Sequence, residues 1–240
     1  MQENLEKTMN IVIILAGGTG TRVGAEAPKQ FLKVCGKTII ERTLDVFEQH
    51  PSIDEIAIVI NRHHQTEMEA IVLNGGYKKV QKIITGGKER HDSSWAAVKT
   101  YENYPQANLL IHDAVRPMIN IQTINEVIGA LEKYNAVTVA IFATDTIYQV
   151  EHNLIQQIPD RKQLMQAQTP QAFKQHILQK AYQSAFENKD FTATDDCGVV
   201  AQYLPDESIF VVAGTENNLK ITHKEDIFLL ERLMQNNIAP

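Results

Sequence analysis

Several clusters of glycine and charged residues along the chain are of types and spacings that handle phosphates. The first follows an apolar run. In IVIILAGGTGTRVGAEAPKQF (11–31), β-branched residues give way to Gly17, Gly18, Gly20 and Gly24, interleaved with Arg22 and followed by Lys29. Glycines let the backbone wrap closely and turn its N–H groups toward an anion. Arg22 and Lys29 add fixed positive charge. A loop of this kind after a buried strand suits a nucleoside triphosphate, with Ala16, Gly17, Gly18 and Gly20 as nucleotide contacts. Two familiar phosphate loops are excluded. Counting a Walker loop from Gly17 or Gly18 puts Arg22 or Val23 where its second glycine belongs. The dinucleotide fingerprint fails at Val23, and Cys35-Gly36-Lys37-Thr38 stands where a ribose-binding acid is expected. A plain glycine-rich turn with solvated charges is the competing reading.

Further clusters add to the first. In Thr85-Gly86-Gly87-Lys88-Glu89-Arg90-His91-Asp92-Ser93, two glycines follow a strand, and Asp92 or Ser93 can open a helix; Ser93 and that backbone could bond a base or ribose. In Leu109-Leu110-Ile111-His112-Asp113-Ala114-Val115-Arg116-Pro117, an acid directly follows a buried strand. Magnesium takes one or two carboxylates plus substrate phosphates, so Asp113 is the candidate metal ligand. Arg116 either holds that loop to neighbouring carboxylates or contributes to acceptor binding, and His112 reads as a hydrogen-bonded strand-end residue. Asp145, Thr146, Arg161 and Thr169 could hold a phosphomonoester, with Arg161 giving paired N–H bonds. Lys220, in Asn218-Leu219-Lys220-Ile221-Thr222, could lie against phosphates. A surface ion pair is the alternative for each taken singly. His63-His64 has no Cys or acid at zinc spacing and reads as a helix start.

The elements that must position these residues alternate. Strand patterns at 11–16, 55–60, 80–85, 108–112 and 136–143 are separated by helical periods at 38–49, 63–73, 92–104 and 121–134. Within the first helix, Ile39, Ile40, Leu44 and Phe47 form the apolar stripe. This βαβα order predicts an α/β fold with a mostly parallel, doubly wound sheet, binding ligands beyond its strand ends. The order breaks at about 145–168, where 146–150 and 154–158 read as a protruding hairpin. Helices are predicted again at 174–187, 195–203 and 224–235, with a strand at 209–213. Residues 1–9 read as a tail, and 10–240 as a single domain.

Composition bounds the partners. Among 240 residues, 23 Lys and Arg face 29 Asp and Glu, so no overall positive field invites nucleic acid. No apolar run reaches the roughly 18 residues of a membrane span. The two cysteines, Cys35 and Cys197, are too few for a disulfide framework and read as ordinary buried thiols. A cytoplasmic location, with no membrane partner, is the expectation.

In order, LAGGTGTRVG with PKQF, GGKERHDS, HDAVRP, TDTI, DR followed by QTPQAF, TDD and NLKIT resemble one family. It comprises the cytidylyltransferases acting on 2-C-methylerythritol 4-phosphate or ribitol 5-phosphate, and the resemblance covers residues 10–236. It implies a Rossmann-like nucleotidyltransferase fold, CTP with Mg²⁺, and a homodimer whose exchanged arms complete each other's sites. By motif, Gly17, Gly18, Arg22 and Lys29 would hold CTP phosphates, and Gly87, Arg90 and Ser93 would surround base and ribose. Asp113 would bind Mg²⁺, Lys220 would contact the reacting phosphates, and Thr146 and Arg161 of the partner's arm would grip the acceptor. Catalysis would rest on Arg22, Lys29 and Lys220. Ile147-Tyr148-Gln149 departs from the pattern of the methylerythritol branch, and Leu164-Met165-Gln166-Ala167-Gln168-Thr169 and Lys133-Tyr134-Asn135-Ala136-Val137 look more like the ribitol branch. Methylerythritol 4-phosphate and a non-catalytic nucleotide-binding module are the alternatives.

Overall fold

The computed structural model describes residues 8–18 and 28–235 of the chain. Gly20, Arg22, Gly24 and most of the N-terminal tail lie outside them. In chain order the elements are β1 (Asn10–Leu15), a small hairpin of β2 (Lys33–Val34) and β3 (Lys37–Thr38), α1 (Ile39–Gln49), β4 (Glu55–Ile60), α2 (Gln65–Gly75), β5 (Val80–Thr85), α3 (Arg90–Thr100) and β6 (Asn108–Asp113). There follow α4 (Ile121–Ala130), β7 (Ala136–Phe142), β8 (Gln149–Glu151), β9 (Leu154–Gln157), β10 (Met165–Lys174), α5 (Gln175–Phe186), α6 (Asp196–Tyr203), β11 (Ile209–Ala213) and α7 (Lys224–Gln235).

Seven strands form one sheet in the order β5-β4-β1-β6-β10-β7-β11. All its pairings are parallel except those of β10, which is antiparallel to β6 and β7. The apolar run of β1 is explained by cover on both faces. Val12 and Ile14 pack with Leu44 and Phe47 of α1 and Ile124 and Val127 of α4. Ile11 and Ile13 pack with Val98 of α3, Tyr101 at its C-terminal end, and Leu178 and Tyr182 of α5. The stripe Ile39, Ile40, Leu44 and Phe47 is buried throughout. Its helix opens on a reciprocal cap between Thr38 and Glu41, which satisfies two otherwise orphaned N–H groups. After β1 the chain proceeds to β4 on one side, and it later returns through α3 to β6 on the other. The crevice between β1 and β6 is therefore the switch point of the doubly wound sheet.

Three local expectations are corrected. The helix expected to open at Asp92 or Ser93 opens at Arg90, with Asp92 Oδ2 accepting the Glu89 N–H at 3.0 Å. Cys35 is exposed rather than buried, because it occupies the β2–β3 turn with φ 46° beside Gly36. Most consequential is β10: residues 165–168, expected inside the excursion, instead begin a strand that runs between β6 and β7 in the sheet. Its register shifts between Ala167 and Gln171, around the cis Thr169–Pro170 bond. Proline lacks a ladder N–H and is accommodated at such irregularities.

The hairpin is present as β8 and β9, a two-stranded sheet of its own. Glu151 pairs with Leu154, leaving His152 and Asn153 as the loop at φ 49° and 64°. Two left-handed residues make the turn whose twist matches the flanking strands. Among the described residues no helix is long and apolar enough to cross a membrane.

Candidate active site

A cavity of about 460 Å³ opens at the carboxyl ends of β1, β5 and β6. β1 delivers Ala16, Gly17 and Gly18 to it, the segment after β5 delivers Gly87, Arg90 and Ser93, and β6 delivers Asp113. Lys29 and Lys220 reach it from the segments after the glycine loop and after β11. Nine of the residues singled out in the sequence thus share one concavity. Gln30, Lys88, Glu89 and Thr222 also line it and were not singled out. Gln30 is buried and donates from Nε2 to the carbonyls of Ala16 at 2.7 Å and Gly18 at 3.3 Å. It fixes the entry to the glycine loop. Its place between Lys29 and Phe31 in the PKQF block was the available signal.

The residues after β5 approach closely. A side-chain carbon on Gly86 would stand 2.8 Å from Ser93 Oγ and 3.2 Å from Val59. Ser93 Oγ accepts the Gly87 N–H at 3.2 Å and donates to the Glu89 carbonyl at 3.3 Å. Arg90 donates to the fully buried Asp196 at 2.7 Å, whose other oxygen accepts Tyr182 Oη at 2.7 Å. Burial disfavours the Arg90 charge, but Asp196 and then Asp113 outweigh it and raise its pKa. The guanidinium is a permanent cation held in one place.

Asp113 is the electrostatic centre. Lys220 Nζ lies 3.0 Å and Arg116 Nε 3.3 Å from its Oδ2. Burial pushes its carboxyl up, yet Lys220, Arg90 and Arg116 overcome this and hold it down at about 2. Behind it, the buried His112 uses both ring nitrogens, with Nε2 3.1 Å from the Arg116 carbonyl and Nδ1 2.9 Å from Thr169 Oγ1. A carbonyl only accepts, so Nε2 carries the hydrogen and Nδ1 accepts from Thr169. Thr169 Oγ1 in turn accepts the Asp113 N–H at 3.2 Å. Burial drives the imidazole down to about 4, so His112 is neutral at ordinary pH and serves as a brace.

The acceptor candidates divide. Arg116 and Thr169 stand behind Asp113, outside the cavity lining; Arg116 also donates to the Asn218 carbonyl at 2.8 Å. Asp145 and Thr146 are exposed at the root of the arm, and Arg161 Nη1 donates to the Thr144 carbonyl at 2.6 Å. Arg161 lines a separate shallow surface with Phe142 and Lys162. None of these three arm residues lines the first cavity.

Among the described residues no three His, Cys, Asp or Glu side chains converge as a metal cage. One carboxylate on the wall of this cavity would instead suit a hard cation that keeps its other positions for phosphate and water. Asp113 fits Mg²⁺ in that sense.

The family profile "IspD: 2-C-methyl-D-erythritol 4-phosphate cytidylyltransferase" matches residues 10–236. A bifunctional ribulose 5-phosphate reductase/CDP-ribitol pyrophosphorylase of Haemophilus influenzae is 45% identical across 96% of this chain and 49% of its own length. The chain thus spans about half of that protein. A 2-C-methyl-D-erythritol 4-phosphate cytidylyltransferase of Thermobifida fusca is 41% identical across 94% of this chain and 93% of its own length. Among solved structures, the 4-diphosphocytidyl-2C-methyl-D-erythritol synthase of Anaerococcus prevotii superposes with a TM-score of 0.83 at 28% identity, covering 95% of this chain and 96% of that one.

Proposed function

The chain belongs to the IspD family of cytidylyltransferases, and on that premise we propose that it transfers CMP from CTP to D-ribitol 5-phosphate, releasing pyrophosphate. The observation that carries the chemistry is the convergence of Lys29, Arg90 and Lys220 on one cavity beside Asp113 at the sheet's switch point. An oxygen of the acceptor's phosphomonoester attacks the α-phosphorus of CTP, and the bond to pyrophosphate breaks. That oxygen is anionic at neutral pH, so no general base is required. The obstacle is the meeting of two polyanions, which preorganised cations relieve. Lys29 and Lys220 are placed for the phosphates, with Arg22 of the glycine loop as their third partner. Gly87, Arg90 and Ser93 are placed for base and ribose. Mg²⁺ held by Asp113 would neutralise charge on the triphosphate.

Ribitol 5-phosphate is favoured by the likeness to the Haemophilus protein named for CDP-ribitol synthesis and by Ile147-Tyr148-Gln149 in the arm. The second reading, 2-C-methylerythritol 4-phosphate, rests on the family profile and on the Thermobifida relative, matched over nearly its whole length. In either case we propose a homodimer, with Asp145, Thr146 and Arg161 of each arm serving the partner's cavity. Pyrophosphate release with CTP and Mg²⁺ separates the acceptors. Faster turnover by at least about tenfold in kcat/KM is expected with ribitol 5-phosphate, equivalent to about 1.4 kcal/mol. The reverse preference would overturn the acceptor assignment and leave the transfer chemistry standing.

A further inference from the structure

Lys220 is carried by the segment between β11 and α7, which has no regular structure of its own. Three other elements grip that segment. Ile221 N–H donates to the Val115 carbonyl at 2.9 Å, and Lys29 Nζ donates to the Ile221 carbonyl at 3.3 Å. The third grip passes through Asn218, which is 1% exposed. Its Nδ2 donates to the Thr169 carbonyl at 2.9 Å and to Gln168 Oε1 at 3.1 Å. Its own carbonyl accepts Arg116 Nη1 at 2.8 Å. Gln168 Nε2 donates to the Thr215 carbonyl at 2.9 Å, so its Oε1 must face Asn218. Both amides are therefore oriented by carbonyls that can only accept. Gly214 permits this close approach, since a side chain there would strike Gln168 and Val139.

We propose that Asn218 is a positioning residue for the transfer reaction: it ties the Lys220 segment to β10 and, through Arg116, to Asp113, and so sets the ammonium of Lys220 where charge develops. This rests on the cytidylyltransferase reading above. Arg116 bonds Asp113 on one side and the Asn218 backbone on the other, so the spacing of Asp113 and Lys220 is defined by a closed ring of named bonds. Asn218→Asp keeps the size but turns an acceptor toward the Thr169 carbonyl and Gln168 Oε1. It is expected to do as much damage as Asn218→Ala. If Asn218 merely filled space, the Asp variant would retain activity.

The test is a double-mutant cycle with Lys220→Ala, run with whichever acceptor the wild type turns over. Asn218→Ala and Asn218→Asp should lower kcat by on the order of tenfold to a hundredfold, the scale of a displaced catalytic group, with KM for CTP changed less than about threefold. In the Lys220→Ala background the same changes should cost less than about twofold further, because the group they position is gone. Amine labelling of the resting protein supplies a readout without turnover. Lys220 should be acylated several-fold faster in both Asn218 variants, released from Asp113. Additive losses, or unchanged labelling, would overturn the assignment of Asn218. Absence of wild-type turnover with every acceptor would count against the cytidylyltransferase reading, while the labelling result would still judge Asn218.

Discussion

At the residue scale, the site depends on groups whose charge states are fixed by what surrounds them. Asp113 stays ionised because Lys220, Arg90 and Arg116 outweigh its burial. His112 stays neutral because burial opposes its charge and both nitrogens are engaged. The sign of its linkage follows. The unfolded imidazole takes a proton near 6.5 and the folded one only near about 4. Below pH 6.5 the unfolded chain binds more protons, so stability falls as pH falls, and the loss levels off below about 4. Two and a half units correspond to about 3 kcal/mol at the limit. Asp113, held near about 2 against an ordinary 3.8, adds acid lability only below that window. Urea unfolding of the wild type and of His112→Asn at neutral pH and near pH 4.5 should show it. The variant starts less stable but should lose about 2 kcal/mol less on acidification. Equal acid sensitivity in the two proteins would mean that His112 is protonated in the fold.

At the element scale, Gly86 shows how a strand end is packed against Ser93, the residue proposed to meet the nucleotide. Gly86→Ala would press on Ser93 Oγ and on Val59. Val59 belongs to a packed strand, so Ser93 must turn away from the Gly87 N–H. Overpacking of this kind costs about 1–3 kcal/mol. The variant should raise KM for CTP by on the order of tenfold, more than it raises KM for the acceptor. Equal effects on both substrates would remove Ser93 from the nucleotide's surroundings. Much of this element-level design was legible in the sequence. The runs at 11–16 and 56–60 are continuous and largely β-branched because both sheet faces are covered, and the glycines after 11–16 and 80–85 and the acid after 108–112 mark strand ends. β10 was not legible. Its Gln168, Thr169 and Gln171 are buried yet polar, which a search for apolar runs reads as loop. Gln171 is accounted for by partners distant in sequence, donating to Asp195 and accepting the Asp196 N–H. Thr169 likewise carries a side chain suited to a phosphate, and only the fold shows its bond to the Asp113 N–H, whereas the pairing of Arg116 with a neighbouring carboxylate was one of the two readings its place in the loop offered. Tertiary hydrogen bonds of this kind leave no periodic trace.

At the scale of the whole molecule, the arm is unaccounted for within one protomer. Tyr148, Val150, Leu154, Ile155 and Ile158 are all more than half exposed, and an isolated two-stranded hairpin is marginal in water. The same segment carries Asp145, Thr146 and Arg161, none of which lines its own protomer's cavity. The two-fold dimer proposed above would account for both facts, each arm being covered by the partner and serving the partner's site. This has a consequence that no single-chain site shares. Arg161→Ala damages the arm and leaves the cavity intact, whereas Lys220→Ala damages the cavity and leaves the arm intact. If the two inactive variants are mixed and allowed to exchange subunits, half of the dimers are mixed. Each mixed dimer joins one sound cavity to one sound arm, so activity should recover to about a quarter of the wild-type value per protomer. A further change in the arm, Ile155→Asp, should lower recovery by weakening the interface, and sedimentation should show the shift toward monomer directly. If mixing restores nothing while sedimentation shows that subunits have exchanged, Arg161 and Lys220 act within the same protomer. The arm would then have to fold back over its own cavity.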